Sequence, residues 1–286
     1  MNIDRIGKWK LSVLETGSFW LDGGAMMGSV PKVLWSKVNV PDKLNRIKLA
    51  MRCMLLDDGV NVVLVETGIG DKASDKFKDM FNICQHQNAL SYTLGKYGYM
   101  PESITHVILT HLHFDHAGGA VKSLPSGALE PAFPNAQYYI SKKNWAAGLN
   151  PSPRDKASYL KENYEVLHEK GVLNIVPDNS EIIEGISTYI VNGHTHGQQL
   201  IKINDQGKTI VFCSDLVPLK SHLKLPWIMG YDLNAVLTLE EKQKFFKLAS
   251  DNKWILFFYH DPETVAVIIK EINGKIEILD EVRRKK

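Results

Sequence analysis

Thr110-His111-Leu112-His113-Phe114-Asp115-His116-Ala117-Gly118-Gly119 is the stretch that decides how the rest of this 286-residue chain is read. It directly follows residues 104–109, a short β-branched run that predicts a strand. In an extended chain, residues two apart point the same way, so His111, His113 and Asp115 converge on one side. A turn at His116, followed by Ala117-Gly118-Gly119, brings a fourth ligating group round. Imidazole and carboxylate suit zinc and other first-row divalent metals. Four ligating groups in six residues exceed what one tetrahedral ion easily takes from so short a loop, which points to two adjacent ions. A single histidine is ordinarily a polar residue with a satisfied hydrogen bond. Three with an aspartate at this spacing, in a chain with 10 histidines, form a pattern that chance rarely supplies.

Two ions need further ligands, and three more groups stand just past apolar runs. Gly193-His194-Thr195-His196-Gly197 follows a strand predicted to end at Val191, Asp215 follows one ending at Cys213, and His260 follows one ending at Tyr259. Strand ends are where loops build sites on a rigid sheet. Strands are also predicted over residues 8–14, 51–56, 61–65, 137–140, 187–191, 199–203, 209–213, 254–259, 264–269 and 275–279. Turns are expected at Asp57-Asp58-Gly59, Asp205-Gln206-Gly207 and Asn273-Gly274. Helical composition marks residues 88–96, 156–169 and 239–250, the last with Thr238 as N-cap and Glu241 at a capping-box spacing. Residues 21–40 read as irregular. Hairpin-like groups of strands with helices between them imply an α/β (α+β) fold in one domain, residues 1–286, with two mostly antiparallel sheets packed together and covered by helices. No Gly-x-Gly-x-x-Gly marks a dinucleotide site.

Composition narrows the classes. Hydrophobic residues make up 44% and charged residues 23%, as in an ordinary globular protein rather than a disordered or disulfide-built one. With 34 basic and 32 acidic residues the net charge is +2, no footprint for nucleic acid or an anionic membrane. Arg283-Arg284-Lys285-Lys286 reads as a solvated tail. No apolar run approaches the ~20 residues of a membrane span, and the first ten residues lack the apolar core of a signal peptide. Cys53, Cys84 and Cys213 are an odd number without Cys-x-x-Cys spacing, so a reducing cytoplasm is the expected compartment.

The histidine stretch, Gly193–Gly197, Cys213-Ser214-Asp215 and Phe258-Tyr259-His260-Asp261 together resemble, in this order, the metal motifs of the metallo-β-lactamase superfamily. Leu64-Val65-Glu66-Thr67-Gly68 is similar to that family's first motif, with Glu66 where Asp is commoner. The resemblance implies an αββα sandwich of two mixed, mostly antiparallel sheets flanked by helices. It implies two divalent ions, Zn2+ foremost with Mn, Fe or Co as alternatives. His111, His113 and His194 would hold the first, Asp115, His116 and His260 the second, and Asp215 would bridge. His196 has no role in that pattern and reads as a loop histidine, while His86, His106 and His168 read as structural or exposed.

Residues 21–32 and 225–232 look similar to the branch that holds quorum-quenching N-acyl-homoserine lactonases and methyl-parathion-hydrolase-like enzymes. That likeness implies a homodimer acting on a small-molecule ester or lactone, with a metal-bridging hydroxide attacking the carbonyl and Asp115 relaying a proton to the leaving oxygen. Met26, Met27, Phe114, His222, Leu225 and Trp227 are the expected substrate pocket. Several such lactonases place a catalytic tyrosine three residues past the bridging aspartate; here that position is Pro218, and His222 or Tyr231 is the expected substitute. A phosphotriesterase or arylesterase with the same metal site is the alternative activity, and a partner-binding protein with a structural metal site is the alternative class.

Overall fold

In a computed structural model describing residues 1–284, the strands build two seven-stranded sheets. The first half of the chain supplies β1 (Arg5–Ile6), β2 (Trp9–Asp22), β3 (Arg46–Asp57), β4 (Val62–Val65), β5 (His106–Ile108), β6 (Val121–Ser123), β7 (Leu129–Pro131), β8 (Gln137–Ser141) and β9 (Leu173–Val176). Their sheet order is β1-β2-β3-β4-β5-β8-β9, with β6 and β7 a separate hairpin. The second sheet lies in chain order: β10 (Glu181–Ile183), β11 (Ile186–Val191), β12 (Gln198–Asp205), β13 (Lys208–Phe212), β14 (Ile255–Phe257), β15 (Thr264–Ile272) and β16 (Lys275–Arg283). Helices are α1 (Gly23–Met27), α2 (Lys32–Trp35), α3 (Asp75–Met80), α4 (Ala89–Lys96), α5 (Phe114–Ala117), α6 (Lys142–Leu149), α7 (Glu165–Glu169) and α8 (Ala235–Asp251). This is the metallo-β-lactamase fold. Antiparallel pairing dominates the second sheet, whereas β4, β5, β8 and β9 of the first run parallel.

Period-two burial explains the layers. Ile201, Ile203, Ile210, Phe212, Phe257 and Tyr259 join the core shared with the first sheet, while their neighbours Leu200, Val211, Cys213, Leu256 and Phe258 pack under Phe245 and Phe246 of α8. Each fully buried side chain of this size contributes about 1.5–3 kcal/mol. Because both faces are covered, these strands are continuously apolar rather than alternating.

The same pairing places the site. β13 and β14 run parallel with Phe212 opposite Phe257, so the chain just past both strands, carrying Asp215 and His260, emerges at one edge. A bond from the Ala50 amide in β3 to the His260 carbonyl (2.8 Å) ties that edge to the first sheet.

Three expectations are corrected. The long helix starts at Ala235, not after Thr238: the Asn234 side chain accepts from the Leu237 amide (3.0 Å), a better-placed cap. Residues 156–169 are not one helix but 3-10 turns at Lys156–Ser158 and Lys161–Asn163, then the single turn of α7. Tertiary partners win there: Tyr159 pairs with His113 across an isolated β-bridge, and the Tyr164 hydroxyl reaches the Gly148 carbonyl (2.8 Å). Residues 21–40 hold the end of β2, then α1 and α2, with Asp22 capping α1 at the Ala25 amide (2.8 Å). Arg283 belongs to β16; Lys285 and Lys286 lie outside the described residues. Among those described, no helix is long and apolar enough to cross a membrane.

Candidate metal centre

β5 ends at Ile108, and the chain runs extended through His111 and His113 before α5 turns Asp115 and His116 inward. His194 comes from the β11–β12 loop, Asp215 from the turn after β13, and His260 from just past β14. All seven side chains are buried. His111 Nε2 lies 3.1 Å from His113 Nδ1, which lies 3.3 Å from His194 Nε2. Tetrahedral Zn–N bonds of about 2.0 Å would separate two ligand atoms by about 3.3 Å. A second set of side chains closes in beside this one. Asp115 Oδ2 lies 3.6 Å from His116 Nε2 and 3.5 Å from His260 Nε2.

Asp215 divides between them. Its Oδ2 stands 3.3 Å from His194 Nε2, while Oδ1 stands 3.5 Å from His116 Nε2 and 3.3 Å from His260 Nε2. His116 Nε2 and Asp215 Oδ1 are buried without a hydrogen-bond partner. Orphaned nitrogens and oxygens converging at these spacings suit cations, so the donor set fits two divalent ions.

The electrostatics differ between the two sets of side chains. Burial and neighbouring imidazoles hold His111 and His113 well below the ordinary histidine value, leaving neutral rings with free lone pairs. For His116 burial pulls downward too, but Asp115, Asp215 and Glu66 outweigh it and raise the ring well above its usual value. Asp215 resists its own burial because His116 and His260 hold its carboxyl well below the ordinary range.

Most of these rings are oriented through their other nitrogen. His111 Nδ1 meets the Thr110 hydroxyl (2.9 Å), His194 Nδ1 meets Asp232 (3.0 Å), and His260 Nδ1 donates to the Ala50 carbonyl (3.0 Å). Glu66 is fully buried, accepts from the Thr110 amide (2.9 Å) and sets its other oxygen 3.4 Å from His116 Nδ1. Its φ of +69° is left-handed, a conformation a non-glycine residue keeps only when its surroundings enforce it. Glu241 does not close a capping box. Its carboxylate instead accepts from the amides of Asn192 (2.7 Å) and Gly193 (2.9 Å) and anchors the loop that carries His194. Neither Asp232 nor Glu241 is signalled by local sequence, since both act across the fold.

The centre opens into a cavity of about 410 Å³. Of the expected pocket residues, Met26 and Phe114 line it. Met27, His222, Leu225 and Trp227 do not. His222 is a correction to its expected catalytic role: the 3-10 turn Lys220–Leu223 directs it under α1, where Nε2 sits 3.0 Å from the Met26 carbonyl. Burial and nearby Lys242 push its pKa down to about 3, so it is neutral. Met27 is packed in the inter-sheet core, Leu225 lies against the α8 cluster, and Trp227 is buried with its carbonyl on Lys242 Nζ (2.5 Å). Tyr231, Met229, Arg154 and Asp155 line the cavity instead. Sequence pattern missed Arg154 and Asp155 because they precede a segment read as helix. His196 is exposed, as expected of a loop residue, and the Cys213 thiol is buried away from the cavity with its pKa raised by that burial.

The chain belongs to the metallo-β-lactamase superfamily, whose family model matches residues 52–260. It is a metal-dependent hydrolase of that superfamily. A solved structure described as a probable metal-dependent hydrolase from Staphylococcus aureus is 28% identical, with a TM-score of 0.90 over 99% of both chains. An N-acyl homoserine lactonase from Bacillus thuringiensis is 25% identical over 242 residues, 78% of this chain and 85% of the relative. The fold is also that of AidC, a dizinc quorum-quenching lactonase solved with a product, N-hexanoyl-L-homoserine: 21% identity, TM-score 0.80, 98% of this chain and 97% of that one.

Proposed function

We propose that the protein opens the ester bond of a lactone, an N-acyl-homoserine lactone foremost, at a dinuclear zinc centre. The split of the Asp215 carboxylate between two sets of ligands at the foot of an open cavity carries this reading. His111, His113 and His194 would hold one ion, Asp115, His116 and His260 the other, with Asp215 placed to serve both. When bound, such ions make hydroxide available near neutral pH and polarise a carbonyl. The chain's own residues do the rest. Asp115 relays the proton still carried by the attacking oxygen to the ring oxygen as the ring C–O bond breaks, so that a carboxylate and an alcohol result. Tyr231, on the cavity wall, carries a protonated phenol at neutral pH, and partial desolvation with the carboxylates of Asp22 and Asp115 pushes its pKa further up, to about 12. It donates to a substrate oxygen in place of the tyrosine absent at Pro218. Leu21, Met26, Phe81 and Phe114 offer the acyl chain an apolar wall.

The whole chain acts as one catalytic domain. Val33, Leu34, Val38, Val40 and Leu44 form an exposed apolar stretch, which supports a homodimer. Three free cysteines suit a reducing cytoplasm. The test is hydrolysis of an acyl-homoserine lactone, a phosphotriester and an aryl ester by metal-loaded protein, with a chelated control. Chelator-sensitive lactone opening well above the other two is expected. Turnover mainly of the phosphotriester overturns the substrate assignment and leaves the metal ligands in place.

A further inference from the structure

Two consecutive side chains on the cavity wall have no part in the chemistry above. Arg154 and Asp155 line the same cavity as His113, Asp115, His194, Asp215 and His260. Among the described residues, the acceptor that Arg154 Nη2 meets is the Gly230 carbonyl, across the mouth. A guanidinium carries five N–H donors in a fixed fork, so most remain for a ligand. Asp155 is the opposite case. It is only 7% exposed, its Oδ2 lies 3.4 Å from the Thr195 hydroxyl, and its Oδ1 has no partner. The long bond from Thr195 leaves Oδ2 able to accept a second donor, and Oδ1, closed off behind it, adds a cost that a ligand N–H on Oδ2 offsets.

Both residues are held in place. The Asp155 amide donates to Ser152 (3.2 Å), its carbonyl accepts from Ser158 (2.8 Å), and Thr195 is itself bound to the Tyr159 hydroxyl (2.7 Å). Thr195 directly follows His194, so the carboxylate is tied to the metal-site loop. A group rich in donors beside one that only accepts is the complement of a secondary amide, which offers one C=O and one N–H.

We propose that Arg154 and Asp155 form a subsite for a secondary amide of the substrate, the guanidinium donating to the amide oxygen and the carboxylate accepting the amide N–H. The proposal rests on the lactonase reading for the bond that is cleaved, and it adds what selects the molecule. A site built to hydrogen-bond a polar group discriminates strongly against analogues lacking it. Simple alkyl lactones, aryl esters and phosphotriesters bring no N–H to Asp155.

The experiment uses metal-loaded protein and three lactones: N-hexanoyl-homoserine lactone, its N-methylated amide, and an alkyl lactone of equal length. Calorimetry measures binding of ring-opened N-hexanoyl-homoserine and of its N-methyl form. N-methylation is expected to weaken both kcat/KM and binding by about tenfold or more. Arg154→Met, at an exposed position, raises KM for the amide lactone and lowers the preference for the amide lactone over the alkyl lactone about tenfold. Asp155→Ala abolishes the discrimination against N-methylation. Equal treatment of the three lactones, or an equal loss on all three in Arg154→Met, overturns the subsite. If no lactone opens but binding still discriminates, the lactonase reading fails and the subsite stands. If lactones open and N-methylation changes neither rate nor binding, the subsite fails and the lactonase reading stands.

Discussion

The floor of the cavity and its wall are held in different ways. On the floor, His111, His194 and His260 each have a ring nitrogen fixed by Thr110, Asp232 and Ala50, and the partners are buried. On the wall, Arg154 and Tyr231 are exposed, and the loop over residues 224–231 is held chiefly through its backbone. The holder is Lys242, fully buried on α8, whose ammonium donates to the carbonyls of Lys224 (3.3 Å), Leu225 (3.2 Å) and Trp227 (2.5 Å). The difference teaches a division of labour. Rings that converge on one point tolerate little displacement, and three of the five, His111, His194 and His260, are locked by a specific side-chain or backbone partner. A substrate wall needs only a fixed path for its backbone, which leaves its side chains free to select the ligand.

The largest effect should come from the floor. Asp215→Ala removes the group shared by both sets of ligands, and activity should fall by about four orders of magnitude together with metal content by elemental analysis. A fully metallated, active variant would break the comparison at its base. Next is the ring holder: Asp232→Asn frees His194 and should cost about 10–100-fold in metal affinity, read by chelator competition.

Lys242→Met tests the wall in the same terms. Three carbonyls lose a buried donor, so stability should drop by about 3 kcal/mol, KM should rise more than kcat falls, and metal content should hold. Hydrogen exchange should quicken over residues 224–231. Loss of metal in this variant would show that wall and floor are not separable.

The effect that is smallest at neutral pH is a pH dependence. His222 stays neutral in the folded state until about pH 3, whereas an ordinary histidine protonates near 6.5. As pH falls through that window the unfolded state binds a proton the folded state refuses, so stability is lost. His222→Gln should flatten the Tm-versus-pH slope between pH 6.5 and about 3. An unchanged slope would mean the ring is not buried as described.

The floor could be read from sequence because its ligands are encoded locally. His111 and His113 lie on the stretch before α5, but Asp115 is brought in by the first turn of α5 and not by the strand-like alternation expected of it; His194, Asp215 and His260 stand where apolar strands stop. The helix over residues 88–96 and the hairpins were visible for similar reasons: their signals span a few neighbours. Pattern failed where a partner from far along the chain decided the outcome. Asn234 took the cap from Thr238, and Glu241 turned to the His194 loop, 48 residues away from Gly193. Residues 156–169 gave up a helix to reach His113, Thr195 and Gly148.

By itself, then, the sequence determined the class of chemistry, a metal-dependent hydrolase, because donor types and their spacing are properties of neighbouring residues. Only the tertiary structure decided which side chains line the cavity beside the histidine cluster. Met27, Leu225, Trp227 and His222 turned away and Arg154, Asp155 and Tyr231 turned in because the wall is assembled from three segments, residues 21–28, 154–158 and 229–231. Their mutual orientation is set by long-range contacts such as Arg154 to Gly230 and Gly230 to Ala25, which no local pattern records.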